Sequence, residues 1–372
     1  MRENRAEGGH TGTESPRGIC CTLTWGQLGS QIGQYRRAAQ RFESLSAPLC
    51  LCVAFLLALL AGCAESAYKT PAEGPSNKAV VLVTPETFGG VPSRKITTPN
   101  YLIKTTIDDD DLITKLPQIM EGALAQYRKL APGVPSSEKP MLCFVFADRN
   151  QWAQFTESET GDDAKVYLRI NRGGYAVRDW FVSYYIGDRE TLSVAAHEGF
   201  HQYIGRHFKR RPPPFVEEGL ATLFEYIEWE NNLPRWRWEL NPNRMNGLER
   251  SVNQGLTMPI TELYAMHAGQ VVSKQLWKVE TFYAQAWAFA RFLADGQNGK
   301  YRPALEKMLA DLAANKVPLP GFDRVDPPGM WNPKSAQPLL EHYLGKPLAE
   351  IDREYQEFMK HLVKTRYRSS DD

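Results

Sequence analysis

The chain has 372 residues, of which 42% are hydrophobic and 23% charged, a balance that suits a buried core and excludes a disordered chain. Lysine and arginine number 44 against 43 acidic residues, a net charge of +1, so no overall field recommends a nucleic-acid partner. Of the six cysteines only Cys143 lies beyond position 63, which excludes an internal disulfide framework in the remainder of the chain.

Leu49 to Leu60 is a run of twelve apolar residues, too short to span a bilayer and suited to the core of a signal peptide. Arg36, Arg37 and Arg41 supply its positive flank. The run ends in Leu60-Ala61-Gly62-Cys63, which resembles a bacterial lipobox. That resemblance implies a lipid on Cys63, the membrane as a partner, and anchorage to the bacterial cell envelope on its periplasmic or outer face. The stretch from Met1 to Gln31 is long for such a leader, and no methionine lies between Met1 and Met120, so a later start would use a non-standard codon. Residues 1–63 are therefore expected as an extension and signal peptide, and 64–77, with their proline, glycine and serine, as a flexible tether.

Lys78 to Val83 and Tyr101 to Thr106 read as strands. Asp108 to Asp111 suits a helix start, where carboxylates meet the positive end of the dipole, and it lacks the spaced ligands of a calcium loop. A helix is predicted over Leu112 to Leu130, with Leu112, Leu116, Ile119, Ala123 and Tyr127 on one face. Met141 to Phe146 is expected as a central strand holding Cys143 as an inert core thiol, and Asp148 to Phe155 as a short helix. Val166 to Ile170, followed by Gly173-Gly174-Tyr175-Ala176, reads as a sheet edge. The glycines there either admit another backbone or form an ordinary turn.

Thr191 to Ile204 predicts a half-buried helix, with Gly205 as its stop, a basic stretch from Arg206 to Arg211, and the rigid Pro212-Pro213-Pro214. In its middle stands His197-Glu198-Gly199-Phe200-His201. Residues four apart share a helix face, so His197 and His201 can hold one zinc ion from the same side. Glu198 is placed to take the proton that the ion loosens from water and to hand it to a leaving amine. A catalytic zinc takes a third protein ligand and leaves a fourth position open. Glu217 and Glu218 in Phe215-Val216-Glu217-Glu218-Gly219-Leu220-Ala221 are the candidates; they stand about 100° apart on a helix, so both cannot reach one ion. His207 lacks the glycine turn of an elongated zinc motif and is expected as a surface or loop residue, not a ligand. Lys209-Arg210-Arg211 reads as a solvated loop or a contact for phosphate or lipid headgroups.

The two motifs together resemble the gluzincin metallopeptidases, whose third ligand is a glutamate on a second helix in a Glu-Gly-x-Ala setting, with another glutamate two turns on. The resemblance implies Zn2+ as cofactor, Glu218 as third ligand, Glu225 as a carboxylate supporting the site from behind, and an edge strand at Gly173, Gly174 and Tyr175 that pairs with the substrate backbone. The implied fold is α+β: a zincin-like domain over residues 78–230 with a mixed sheet, an active-site helix and a second ligand helix. A mainly helical part, 231–372, would complete the cleft.

Trp229, Trp236 and Trp238 fall in a connector rich in proline and asparagine, and either pack against it or line the cleft. Thr281 to Ala294 predicts an amphipathic helix, whose Tyr-x-x-x-Trp pattern resembles a helix that follows the zinc motif in bacterial peptidase-like lipoproteins. Tyr283 on it either packs in the core or donates to a developing oxyanion, as a tyrosine or histidine does in many gluzincins. Leu348 to Leu362 predicts a closing helix. The expected activity is hydrolysis of peptide or protein substrates by a zinc metallopeptidase. Its rivals are a non-catalytic, zinc-stabilised envelope lipoprotein that binds a partner, and a zinc amidase acting on cell-wall links.

Overall fold

Alternating β-branched and aromatic residues settle which face of a strand is buried, and here they set up two faces of unequal character. The computed structural model describes residues 68–74, 77–135, 139–177, 180–266, 276–322 and 332–366, all within one compact unit. Its strands are β1 (Tyr68–Gly74), β2 (Asn77–Phe88), β3 (Val91–Thr97), β4 (Tyr101–Thr105), β5 (Met141–Phe146), β6 (Gly174–Val177) and β7 (Trp180–Tyr184). Among the described residues they form one mixed sheet in the order β1-β2-β3-β4-β5-β7-β6. β1 to β4 are an antiparallel meander, β4, β5 and β7 run parallel, and β6 lies antiparallel to β7 at the edge.

Met141, Cys143, Val145 and Phe181 turn to the face covered by helices α1 (Asp110–Leu130) and α3 (Asp188–His207). Phe144, Phe146, Val182 and Tyr184 turn to the other face, where Trp152 of α2 (Arg149–Thr160) and Tyr175 complete a smaller aromatic cluster. α1 begins where the acidic run ends: Asp109 accepts the Leu112 N–H at 2.9 Å. Tyr127 then ties α1 to α3, its hydroxyl donating to the Ala196 carbonyl and its ring edge-on to Phe200 and Phe224. Cys143 is free and fully buried, and burial pushes its thiol up.

The chain continues through α4 (Pro214–Thr222), the hairpin β8 (Ile227–Glu230) and β9 (Leu233–Trp236), and α5 (Pro242–Asn253), α6 (Leu276–Ala294), α7 (Arg302–Ala314), α8 (Ala336–Leu344) and α9 (Leu348–Thr365). This part is mainly helical, as expected, and α9 buries Leu348, Ile351, Tyr355, Phe358 and Leu362 along one stripe. Among the described residues no helix is long and apolar enough to cross a membrane. Cys63, the apolar run before it and residues 64–67 lie outside the described residues.

Several expectations are corrected. Residues 68–74 of the expected tether are strand β1, paired along β2 from Tyr68 with Val83 to Gly74 with Asn77. Val166 to Ile170 is not a strand: Ala164–Tyr167 is a helical turn, closed by the Leu168 N–H on the Ala164 carbonyl at 2.8 Å. Packing overrides β propensity there. Tyr167 stacks on Tyr175 with ring centroids 4.1 Å apart, and Arg149 donates to the carbonyls of Leu168 and Ile170. The metal-motif helix passes through Gly205 to His207, where the Phe208 N–H closes it on Ile204. The tryptophan connector contains the hairpin β8–β9, turned by Asn231 and Asn232 in the left-handed conformation that a tight hairpin requires. The basic run is solvated only in part, with Lys209 and Arg211 exposed. Arg210 is buried against Phe322, the Lys209 N–H bonds to Ala313, and Arg211 pairs with Glu217.

Candidate metal centre

α3 carries His197 and His201 one turn apart on a largely buried face, and α4 brings Glu218 opposite them. The Nε2 atoms of the two histidines lie 3.2 Å apart, and each is 3.5 Å from Glu218 Oε2. Donors about 2.1 Å from a tetrahedral ion are separated by about 3.4 Å, so these three atoms have the spacing of one face of a metal tetrahedron. The residues are the one histidine and carboxylate group among the described residues whose ligand atoms all fall within 4.8 Å of one another.

Each imidazole also has a carboxylate behind it. His201 Nδ1 is 2.7 Å from Glu217 Oε1, and Glu217 is gripped by Arg211, whose Nε–H donates to Oε2 at 2.9 Å and whose Nη2 donates to Oε1. His197 Nδ1 lies 3.0 Å from Glu225 Oε1, off the straight line of a hydrogen bond. Glu225 is held by Arg244 at 2.8 and 2.6 Å and by the Asn241 side-chain amide at 3.0 Å. Backing of this kind selects the ring nitrogen that faces a metal.

The electrostatics follow from crowding several carboxylates around two imidazoles. Burial lowers the pKa of His197, but Glu218 and Glu225 outweigh it and raise the ring to about 9. His201 is raised in the same way, chiefly by Glu218 and Glu217 against burial. Burial would raise Glu225, yet Arg244 and His197 hold it down at about 2. Glu217 and Glu218 are likewise held below the usual carboxylate range, by Arg211 and His201 for the first and by the two histidines for the second.

Glu198 differs from these three. It is buried, with 9% of its surface exposed, and makes no hydrogen bond or ion pair to another described residue. Burial leaves its carboxyl above the usual range despite the two histidines. It stands beside the sheet edge: a β carbon on Gly174 would come within 3.2 Å of Glu198 Cγ and 2.7 Å of the Val182 carbonyl, so this contact needs glycine. A carboxylate so placed can exchange protons with whatever occupies the space before the two histidines.

The structure thus brings together His197, Glu198, His201, Glu218, Glu225 and Gly174. Tyr283 joins them from α6: the Arg244 guanidinium lies 4.9 Å from its ring centroid, and its hydroxyl makes no hydrogen bond among the described residues. Burial and the nearby Glu218 push that hydroxyl's pKa up. The other two residues expected at the substrate edge, Gly173 and Tyr175, offer no side chain to the site. Gly173 occupies a turn at φ +134°, and the Tyr175 side chain, 4% exposed, points to the opposite face of the sheet, where its hydroxyl bonds Thr156 at 3.0 Å. Sequence reasoning missed Arg211, Asn241 and Arg244, and took Glu217 only as a rival ligand. A signal existed in the six-residue spacing of Arg211 and Glu217 across a rigid proline turn, and in Asn241-Pro242 as a helix start ahead of Arg244.

No family model matches this chain, and neither a curated protein nor a solved structure matches it.

Proposed function

We propose that the chain is a zinc-dependent metallopeptidase of the gluzincin type, with a zincin-like arrangement of active-site helix, ligand helix and sheet edge. The observation that carries the reading is the triangle of His197 Nε2, His201 Nε2 and Glu218 Oε2, with edges of 3.2, 3.5 and 3.5 Å, beside an uncommitted Glu198. His197, His201 and Glu218 would hold the ion. When bound, zinc supplies Lewis acidity toward a carbonyl and toward water. Glu198 accepts the proton of the attacking water and returns it to the leaving amine. The substrate backbone runs along β6, the edge strand whose Gly174 packs closely against Glu198. Tyr283 donates its hydroxyl hydrogen to the oxyanion that develops on the carbonyl. Anchorage to the bacterial envelope through Cys63 belongs to the same proposal and rests on the sequence around that cysteine.

The test pairs metal analysis with hydrolysis of a mixed peptide library by wild type and Glu198→Gln. One zinc per chain is expected in both, with turnover lower by about 10²- to 10⁴-fold in the variant, the range for a general base. Full activity in Glu198→Gln refutes the base. Stoichiometric zinc without turnover of any peptide favours the partner-binding lipoprotein, and turnover confined to cell-wall amides favours the amidase.

A further inference from the structure

Both imidazoles are backed by a carboxylate gripped by a guanidinium, but the two supports have different origins. Glu225 and Arg244 come from beyond the ligand helix, whereas Glu217 sits on α4 itself, one residue before Glu218. The offset of about 100° between neighbours on a helix turns Glu218 to the Nε2 atoms and Glu217 to the rear of His201. There Glu217 Oε1 meets Nδ1 at 2.7 Å, and Arg211 holds the carboxylate at 2.9 Å. Glu217 is 4% exposed, so the carboxylate would be costly to bury without these two partners.

We infer that Glu217, clamped by Arg211, is a positioning residue for His201: it takes the Nδ1–H, fixes the tautomer, and leaves Nε2 directed at the ion. This rests on the reading of the site as a zinc centre. The consequence is mechanical. α4 sets Glu218 directly and His201 through Glu217, so a shift of that helix against α3 displaces two of the three donors together. Arg211, in the loop between α3 and α4, restrains such a shift.

The test uses the metal-stripped chain in two measurements: zinc affinity by competition with a chelator, and long-range proton–nitrogen NMR of its histidine rings. Glu217→Ala should weaken zinc binding by about 10- to 100-fold, the usual loss for such a supporting group, and should abolish the slowly exchanging Nδ1 proton of His201. Glu217→Gln, which keeps an acceptor oxygen, should restore most of both, and Arg211→Met should give a smaller loss in the same direction. Zinc affinity within twofold of wild type in Glu217→Ala, or an unaltered Nδ1 proton, overturns the inference. Should Glu217→Ala fail to fold, Glu217→Gln and Arg211→Met carry the test, and wild-type affinity with an unchanged ring signal in Arg211→Met overturns it. Failure of the zinc reading is distinguishable, because the wild type would then take up no zinc while NMR still reports the pairing of His201 with Glu217.

Discussion

Gly219 follows Glu218 at the point where α4 meets α6, and its substitution tests how tightly that contact sets the site. A β carbon there would stand 2.1 Å from the Ala286 carbonyl oxygen, 2.8 Å from its carbonyl carbon and 3.3 Å from Ala290 Cβ. The first two are backbone atoms inside a helix and cannot swing aside, so the helices would have to part by roughly 1 Å or more to restore ordinary contact. Overpacking costs about 1–3 kcal/mol, and a rigid obstacle puts Gly219→Ala at the upper end. The better helix propensity of alanine offsets about 1 kcal/mol. The net loss of about 2 kcal/mol corresponds to a fall of about 3 °C in melting temperature for a chain of this size. Glu218 moves with α4, so its two 3.5 Å distances to the histidines should open. Metal sites hold ligand distances to about 0.2 Å, and zinc affinity should therefore drop by about tenfold or more. Thermal melts of the metal-stripped proteins and competitive zinc titrations read the two effects separately. A Gly219→Ala chain that melts at or above wild type and binds zinc equally well would refute the argument, since propensity alone would then decide the outcome.

Two other substitutions probe the site and the helical part. Tyr283→Phe removes one hydroxyl group and leaves the ring under Arg244, so kcat should fall by about 10²- to 10³-fold if it serves the oxyanion, with zinc affinity unchanged; an undiminished kcat assigns the residue to packing alone. Glu354 on α9 accepts from Lys300 at 2.8 Å, from Tyr301 at 2.7 Å and from Lys346, and although burial opposes them these partners hold its pKa at about 2, below the ordinary 4.5. A depressed carboxyl pKa stabilises the fold fully above the unfolded value and loses that stabilisation as the pH falls through the folded one. Glu354→Gln should therefore be less stable than wild type by roughly 1 kcal/mol at neutral pH, allowing for solvent screening of the lysines. In denaturant titrations the gap should close between about pH 4.5 and about pH 2; a gap that stays constant across that window would show the ion pairs to be irrelevant.

The parts of the site that were legible in the sequence are those where chemistry constrains spacing. His197 and His201 had to be four apart, and their helix carried its apolar lead-in with it. The placement of Glu218 opposite the histidines agrees with the Glu-Gly-x-Ala reading, and the structure supplies the reason for the glycine, which lets α6 come within contact of α4. The support of His201 by Glu217 was hidden because it depends on the turn between α3 and α4, whose direction three prolines set but do not announce. Strand β7 escaped notice although Phe181 and Ser183 face α3 while Val182 and Tyr184 face the aromatic cluster. Val166 to Ile170 misled for the opposite reason: β-branched residues suggested a strand, and the stacking of Tyr167 on Tyr175 decided otherwise. Local pattern fixes elements whose faces are strongly biased, and tertiary contact settles the short ones between them.

Charge accounting links these pieces. Glu198, Glu217, Glu218 and Glu225 bring four carboxylates into one largely buried volume, and Arg211 and Arg244 bring two guanidiniums. With neutral imidazoles the cluster keeps two uncompensated negative charges, which a low-dielectric interior tolerates poorly. Two positive charges are required, and the raised pKa values of His197 and His201 express that demand in the metal-free chain. One divalent ion placed over the Nε2 and Oε2 triangle would meet it while returning both rings to the neutral form that binds metals. The guanidiniums sit behind Glu217 and Glu225 and not behind Glu218 or Glu198, so the charge left over is concentrated on the proposed ligand and the proposed base. A surface helix carrying two unrelated histidines would need none of this. An arrangement that compensates every supporting carboxylate and leaves the front two facing a cation is what a metal centre requires, and Arg244 ties α5 to it through Glu225.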